Sequence, residues 1–177
     1  DIKEMMEKDA KRMYDDDQFA PFTKLRKIQK PMIAAVSGFA LGGGLELAMA
    51  ATIRIASPNA KLGLPEVNLG VTPGYGGTQR LPRLTGAKYA LDAIISGRHI
   101  PAPEAKSKGI VDALVEGDDL LKGAIAHTEM LLAQKAPLRR VRDLKATLES
   151  PDLFKETEKA FGPVTHLVNS AGISRQM

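Results

Sequence analysis

The chain contains no cysteine among its 177 residues. That absence excludes disulfides, thiolate metal sites and a cysteine nucleophile, and it fits a reducing compartment without proving one. Aromatic residues make up only 5%, so platforms for stacking nucleic-acid bases are few. No uninterrupted apolar run reaches the ~18–20 residues that a helix needs to span a bilayer. Neither sign of charge dominates. The 25 basic and 21 acidic residues are interspersed, so the net charge of +4 and pI near 9.3 do not form an electrostatic nucleic-acid patch. An amino-terminal methionine is missing too. The sequence opens on Asp1, and no charged segment with an apolar stretch follows it. It therefore reads as a fragment with neither a secretory signal nor an intact start.

What is present is ordinary globular material, 44% hydrophobic and 26% charged, enough for one domain or one with an appendage. Residues 1–30 hold an acidic run, Asp15-Asp16-Asp17, and a basic cluster of Lys24, Arg26, Lys27 and Lys30. Met5, Met6, Met13, Phe19, Phe22, Leu25 and Ile28 recur loosely at helical spacing. The pattern predicts a partly amphipathic helical region whose charge runs are solvated faces. Met32-Ile33-Ala34-Ala35-Val36 is short, apolar and bounded by turn-formers, and predicts a buried strand. A glycine loop through Gly44 and a helix from Leu45 to Ala51 follow, then a second strand over Ile53–Ala56. The five glycines and two prolines between Leu62 and Gly77 predict a structured loop. Residues 78–96, 103–108 and 118–135 read as helices, and Val111–Val115 as a strand. Residues 138–144 and 152–154 suggest helical segments, and Val164–Val168 a last strand.

Three kinds of site are excluded by spacing. A phosphate loop needs Lys and Ser/Thr after its last glycine, but Leu45-Glu46 follows Gly44. A dinucleotide loop needs a glycine where Gln79 stands after Gly74-Tyr75-Gly76. The three histidines, His99, His127 and His166, lack metal-site spacing.

Two glutamates remain in unusual settings. Glu46 begins a helix otherwise built from Leu, Ala and Met, where a carboxylate is costly to bury unless hydrogen-bonded, paired or neutral. The dipole of the helix start offers partial relief. A structural role, capping its own backbone or pairing with Arg54, is equally open. Glu66 follows Pro65 between Leu64 and Val67, and a Pro-Glu pair is also an ordinary helix start. Together the two suit paired acid/base work, in which environment tunes each pKa. Gly42-Gly43-Gly44 lets the backbone approach a ligand and point N–H groups at a developing oxyanion. A glycine turn for tight helix–strand packing would look the same.

The segment Lys30-Pro31-Met32-Ile33-Ala34-Ala35-Val36-Ser37-Gly38-Phe39-Ala40-Leu41-Gly42-Gly43-Gly44-Leu45-Glu46-Leu47-Ala48 closely resembles the signature of the crotonase superfamily, in its enoyl-CoA hydratase branch. Leu64-Pro65-Glu66 and Pro73-Gly74-Tyr75-Gly76-Gly77-Thr78-Gln79-Arg80-Leu81 are similar to its next two motifs, and Asp1-Ile2-Lys3-Glu4-Met5 to the tail of an earlier one. The resemblance implies an α/β crotonase-like spiral of ββα units, partial at its N-terminus, with a helical C-terminal part. It places a hydratase core at 1–135 and a helical link, like that of multifunctional β-oxidation enzymes, at 136–160. Residues 161–177 resemble a strand of a short-chain dehydrogenase/reductase, a family whose catalytic motif this chain lacks. The implied activity is hydration of 2-enoyl-CoA, with isomerisation or an inactive CoA-binding remnant as alternatives. Glu46 and Glu66 would be the two catalytic carboxylates, Gly43 an oxyanion donor, Gly74 a water-positioning residue, and Lys3 a contact to a CoA phosphate. No cofactor or metal is implied, the CoA thioester being the substrate. The implied partners are acyl-CoA and either further copies of the chain or a downstream dehydrogenase domain, with no nucleic acid or membrane. The implied location is the cytoplasm, or the peroxisome or mitochondrion of a eukaryote.

Overall fold

The computed structural model describes residues 7–16, 20–25, 27–117 and 119–147, and the chain divides into two compact units, 1–30 and 31–177. The described residues of the first unit include two short helices, α1 (Ala10–Asp15) and α2 (Ala20–Leu25). Asp9 caps α1 by accepting from the Arg12 N–H at 2.8 Å, satisfying one of the free donors of a helix start. Lys8 pairs with Asp16 at 2.8 Å, and Lys11 with Asp15, on the solvated face.

In the second unit two short strands and a helix form a repeating pattern. The first turn is β1 (Ile33–Val36), β2 (Phe39–Leu41) and α3 (Gly43–Ala50). The next is β3 (Ile53–Ala56), β4 (Lys61–Gly63), a 3-10 turn over Pro65–Leu69, α4 (Gly77–Thr85) and α5 (Ala87–Ser96). Then come β5 (Ile100–Pro101), α6 (Ala102–Ser107), β6 (Ala113–Leu114) and α7 (Leu120–Ala133). Each turn adds one strand to each of two sheets. One sheet runs β1-β3-β6, all parallel; the other runs β2-β4-β5, with β5 antiparallel to β4. The chain crosses between sheets at Ser37-Gly38, where Gly38 adopts φ +67° and its carbonyl accepts from Lys61 at 2.8 Å. This is the spiral of ββα units that the motifs imply.

The core is shared by the layers. Leu45 and Met49 of α3 pack with Leu62, Leu64, Leu81, Ile100, Ile110 and Val111, while Ile53 and Ile55 meet Ala113 and Ala124 across the other face of β3. Burying a Leu or Ile side chain fully contributes roughly 1.5–3 kcal/mol, which fixes α3 against the sheets. Arg54, 1% exposed, is held where β3, β6 and the end of α3 meet. Between α5 and α6, Tyr89 donates to Glu104 at 2.7 Å and Arg98 pairs with the same carboxylate at 2.8 Å.

Several elements differ from the sequence reading. β1 is not fully buried: among the described residues it pairs with β3 alone at the sheet edge, and Ile33 is 43% exposed on a face that no described element covers completely. β2 lies within the expected glycine loop, and β4 and β5 were not anticipated. The expected helix over 78–96 is two helices broken at Gly86, whose φ of +87° lets its N–H close α4 onto Pro82. Only a 3-10 turn, Val141–Asp143, forms where helix was expected over 138–144, and Val141 sits in the main core. The readings at 152–154 and 164–168, and the reductase-like stretch 161–177, lie outside the described residues.

Candidate active site

The site forms where the two spiral turns meet. Gly42 takes φ +56° and ψ −127°, donates to Gly63 at 2.9 Å to prolong the β2–β4 pairing, and accepts from Glu46 to open α3. A glycine suits that backbone. The N–H of Gly43, first residue of α3, belongs to the donors that have no acceptor within their own helix. A side-chain carbon at Gly43, Gly44 or Gly74 would meet nothing within 4 Å. Tight packing is therefore not why glycine stands there, and the open space leaves the ligand-approach reading of this segment standing.

Glu46 is 3% exposed. It neither caps its own helix nor pairs with Arg54, the two structural roles open to it. Its Oε1 accepts from the backbone N–H groups of Tyr75 and Gly77, each at 2.7 Å. Gly77 has to be a glycine here, because a Cβ would come within 2.9 Å of that oxygen. Burial pushes the Glu46 carboxyl above its ordinary value. The two N–H bonds and the Arg80 charge oppose that rise, while the Glu66 charge adds to it.

Glu66 enters from the second turn, where Pro65 starts the 3-10 segment with its fixed φ. Its Oε1 lies 3.4 Å from the point a Cβ on Gly42 would occupy, so the missing side chain lets this carboxyl lie against the start of α3. Its Oε2 is buried with no hydrogen-bond partner. Burial also raises this carboxyl. Two carboxyls therefore lie close enough for the charge of Glu66 to act on Glu46, each biased toward the protonated form and one with an unused acceptor. Such an arrangement suits giving and taking a proton.

Of the residues singled out from sequence, Glu46, Glu66 and Gly43 come together; Gly74 lies in the exposed turn beside them, just before Tyr75. Lys3 lies outside the described residues. His99 packs its ring edge-on to Phe39, with centroids 6.0 Å apart, and His127 lines a separate cavity of about 240 Å³. Among the described residues, no group of three or more His, Cys, Asp or Glu could hold a metal ion. The sequence reading missed the Tyr75 and Gly77 N–H donors and the Arg80 side chain behind them. The Gly76-Gly77 pair with an arginine one turn later was the available signal.

A two-sheet spiral with a glycine-opened helix and paired glutamates defines the crotonase fold. The sequence model of the family described as enoyl-CoA hydratase/isomerase matches residues 1–166. A probable enoyl-CoA hydratase of Mycobacterium leprae is 50% identical over 126 residues, 71% of this chain and 49% of that one. A glyoxysomal fatty acid beta-oxidation multifunctional protein of Cucumis sativus is 40% identical over 148 residues, 79% of this chain and 20% of its own. Among solved structures, an enoyl-CoA hydratase subunit from Geobacillus kaustophilus superposes with TM-score 0.66 at 44% identity, over 76% of this chain and 51% of the other. The chain belongs to the enoyl-CoA hydratase/isomerase family. It spans about half the length of the mycobacterial relative and a fifth of the cucumber one.

Proposed function

We propose that this chain carries the acid/base centre for hydration of 2-trans-enoyl-CoA to 3-hydroxyacyl-CoA in fatty-acid β-oxidation. The observation that carries the reading is a pair of glutamates at the glycine-opened start of α3, Glu46 buried and Glu66 half-buried with one buried unpartnered oxygen, both with raised pKa values. In this mechanism the thioester oxygen lies at the Gly43 N–H, which stabilises the negative charge that forms as water adds. Gly74 helps to place that water. Glu66, with Oε2 unused, takes a proton from the water as its oxygen bonds to the β-carbon. Glu46, held through Oε1, keeps its other oxygen for the same water, and between them the carboxyls return a proton to the α-carbon. One water is consumed and no electrons leave the substrate, so the reaction as read needs no redox cofactor or metal.

Isomerisation can proceed with one carboxyl. The presence of two favours hydration. Acyl-CoA is the partner of this reading, with Lys3 as its contact to a CoA phosphate. In this reading the 3-hydroxy product passes to a dehydrogenase partner, and the compartment is one where β-oxidation runs, cytoplasm, peroxisome or mitochondrion; the relatives named glyoxysomal and peroxisomal multifunctional proteins of fatty acid beta-oxidation favour the peroxisome. No described helix is long and apolar enough to cross a membrane.

The test is loss of the enoyl absorbance of crotonyl-CoA on incubation with the chain. Steady loss supports hydration. CoA binding without turnover supports the inactive remnant instead.

A further inference from the structure

Arg80 sits in α4, one turn after the Tyr75–Gly77 turn, and its own N–H donates to the Gly76 carbonyl at 2.8 Å. Its guanidinium folds back over that turn. Nη1 donates to the Tyr75 carbonyl at 2.6 Å and reaches the backbone carbonyl of Glu46 itself at 3.4 Å. The fit leaves no room for a side chain on Gly76: a Cβ there would stand 2.7 Å from Nη1 and 3.1 Å from Cζ. Gly76 also holds φ +94°, which favours glycine. One side chain thus grips the carbonyl of the residue whose N–H holds Glu46 Oε1, and also the backbone of α3 that carries Glu46.

We propose that Arg80 is a positioning residue, clamping the Tyr75–Gly77 turn onto α3 and so fixing where the Glu46 carboxylate points. A planar guanidinium suits the task because it presents several donors in a fixed fork, whereas an ammonium is a compact point charge. A displacement of about 1 Å at a reacting carboxylate can cost ~10²-fold in rate. Electrostatics act in the same sense as the geometry, since the Arg80 charge favours the ionised form of Glu46 against burial and against Glu66. Around α3, β1 and β2 carry no titratable side chain, and α4 carries Arg80 and Arg83. Arg83 is half-buried and bonded to Gln79. Among the described residues, Glu66 and Arg80 are the charges that act on Glu46.

The inference rests on the hydratase reading for its catalytic consequence, so the test has an arm that needs no turnover. Glutamate labelled with ¹³C at the carboxyl is incorporated, and the Glu46 signal is assigned by its loss in Glu46→Gln. Arg80→Gln should raise the Glu46 titration midpoint. It should also lower kcat on crotonyl-CoA by up to ~10²-fold while KM changes less than about threefold, because the lost alignment acts on the chemical step. Arg80→Lys should bring the midpoint back toward the parent through its charge but restore kcat only in part. If Arg80→Gln does not fold, Arg80→Met, which keeps the apolar stem, should show the same upward shift. A folded Arg80→Gln or Arg80→Met with the parent midpoint would overturn the proposal, even if its melting temperature fell. An upward shift in Arg80→Gln together with a parent chain that never hydrates crotonyl-CoA would remove the hydratase reading and keep the clamp.

Discussion

The two ends of α3 each bury a charge, and the two charges are treated in opposite ways. At the C-terminal end Arg54, 1% exposed, engages all three of its nitrogens: Nε on Ile110 O at 2.8 Å, Nη1 on Ala51 O at 3.0 Å, and Nη2 on Asp112 at 2.8 Å. Asp112 in turn accepts from the Arg54 backbone N–H at 2.7 Å. Cation, counter-ion and helix end are closed on one another, and the result ties β3 to β6. At the N-terminal end Glu46, 3% exposed, has two backbone N–H donors on its carboxyl, while Arg80 donates to its main-chain carbonyl. The charge that acts on it most strongly is that of another carboxyl, which has a buried oxygen without a partner. Burial disfavours the Arg54 charge as well, but Asp112 opposes that cost, whereas at Glu46 the neighbouring carboxyl adds to it. A fold that gives one buried charge a counter-ion and the other a like charge separates a structural group from a reactive one.

The comparison can be broken by substitution. The largest effect should be on stability at the satisfied end. Arg54→Met leaves Asp112 without its partner, and breaking a buried pair from one side costs about 3–5 kcal/mol. Asp112 is itself 24% exposed, so the loss should fall in the lower part of that range. Urea unfolding followed by circular dichroism measures it. A near-parent midpoint would mean that the pair is not what joins β3 to β6.

Next comes the backbone donor. Gly43→Pro removes one N–H at the start of α3, where proline is conformationally tolerated, and should lower kcat on crotonyl-CoA by on the order of 10²–10³. An unchanged rate in a folded variant would take Gly43 out of the oxyanion site. Glu46→Gln and Glu66→Gln should each lose ~10²-fold or more in kcat with folding intact. Retained turnover in either would make that residue structural and move it to the Arg54 side of the comparison.

The smallest effect sharpens the contrast from outside α3. Tyr89 has its hydroxyl pKa pushed up to about 12 by burial and by its bond to Glu104. Tyr89→Phe removes the hydroxyl and its bonding to Glu104 and Arg98 while Arg98 stays on Glu104, and should cost about 1 kcal/mol with kcat unchanged. A loss of kcat would show that the α5–α6 network reaches the site.

What could be read from sequence follows from how local each signal is. β1 was legible because five consecutive apolar residues between turn-formers suffice to mark it, and β3 because Ile53, Ile55 and Ala56 are stopped by Ser57-Pro58-Asn59. β2, β4 and β5 were not: each has two or three residues, and they become strands only through pairing with chain twenty or more residues away. Gly86 was hidden because apolar residues continue at helical spacing on both sides of it. Glu46 and Glu66 stood out as carboxylates in apolar, glycine-rich surroundings, but whether Glu46 would pair with Arg54 stayed open. Arg54 found its partner at Asp112, 58 residues on, and no local pattern encodes that. Arg80 was missed since it acts through main-chain carbonyls, which every residue has.

The central claim is that Glu46 and Glu66 are carboxyls that the folded chain holds against their own stability. Both have folded pKa values raised above the ordinary 4.5, so between that value and the folded values the native state binds more protons than the unfolded one. Stability therefore falls as pH rises through that window, and the loss persists above it. Replacing Glu66 by Gln removes its share of this fall. The most direct test is the urea unfolding midpoint of Glu66→Gln and of the parent, measured side by side from pH 4 to pH 8. The difference between them should move steadily in favour of the variant as pH rises. A difference that stays flat, or moves in favour of the parent, would show that Glu66 is as well satisfied as Arg54 and contradict the account.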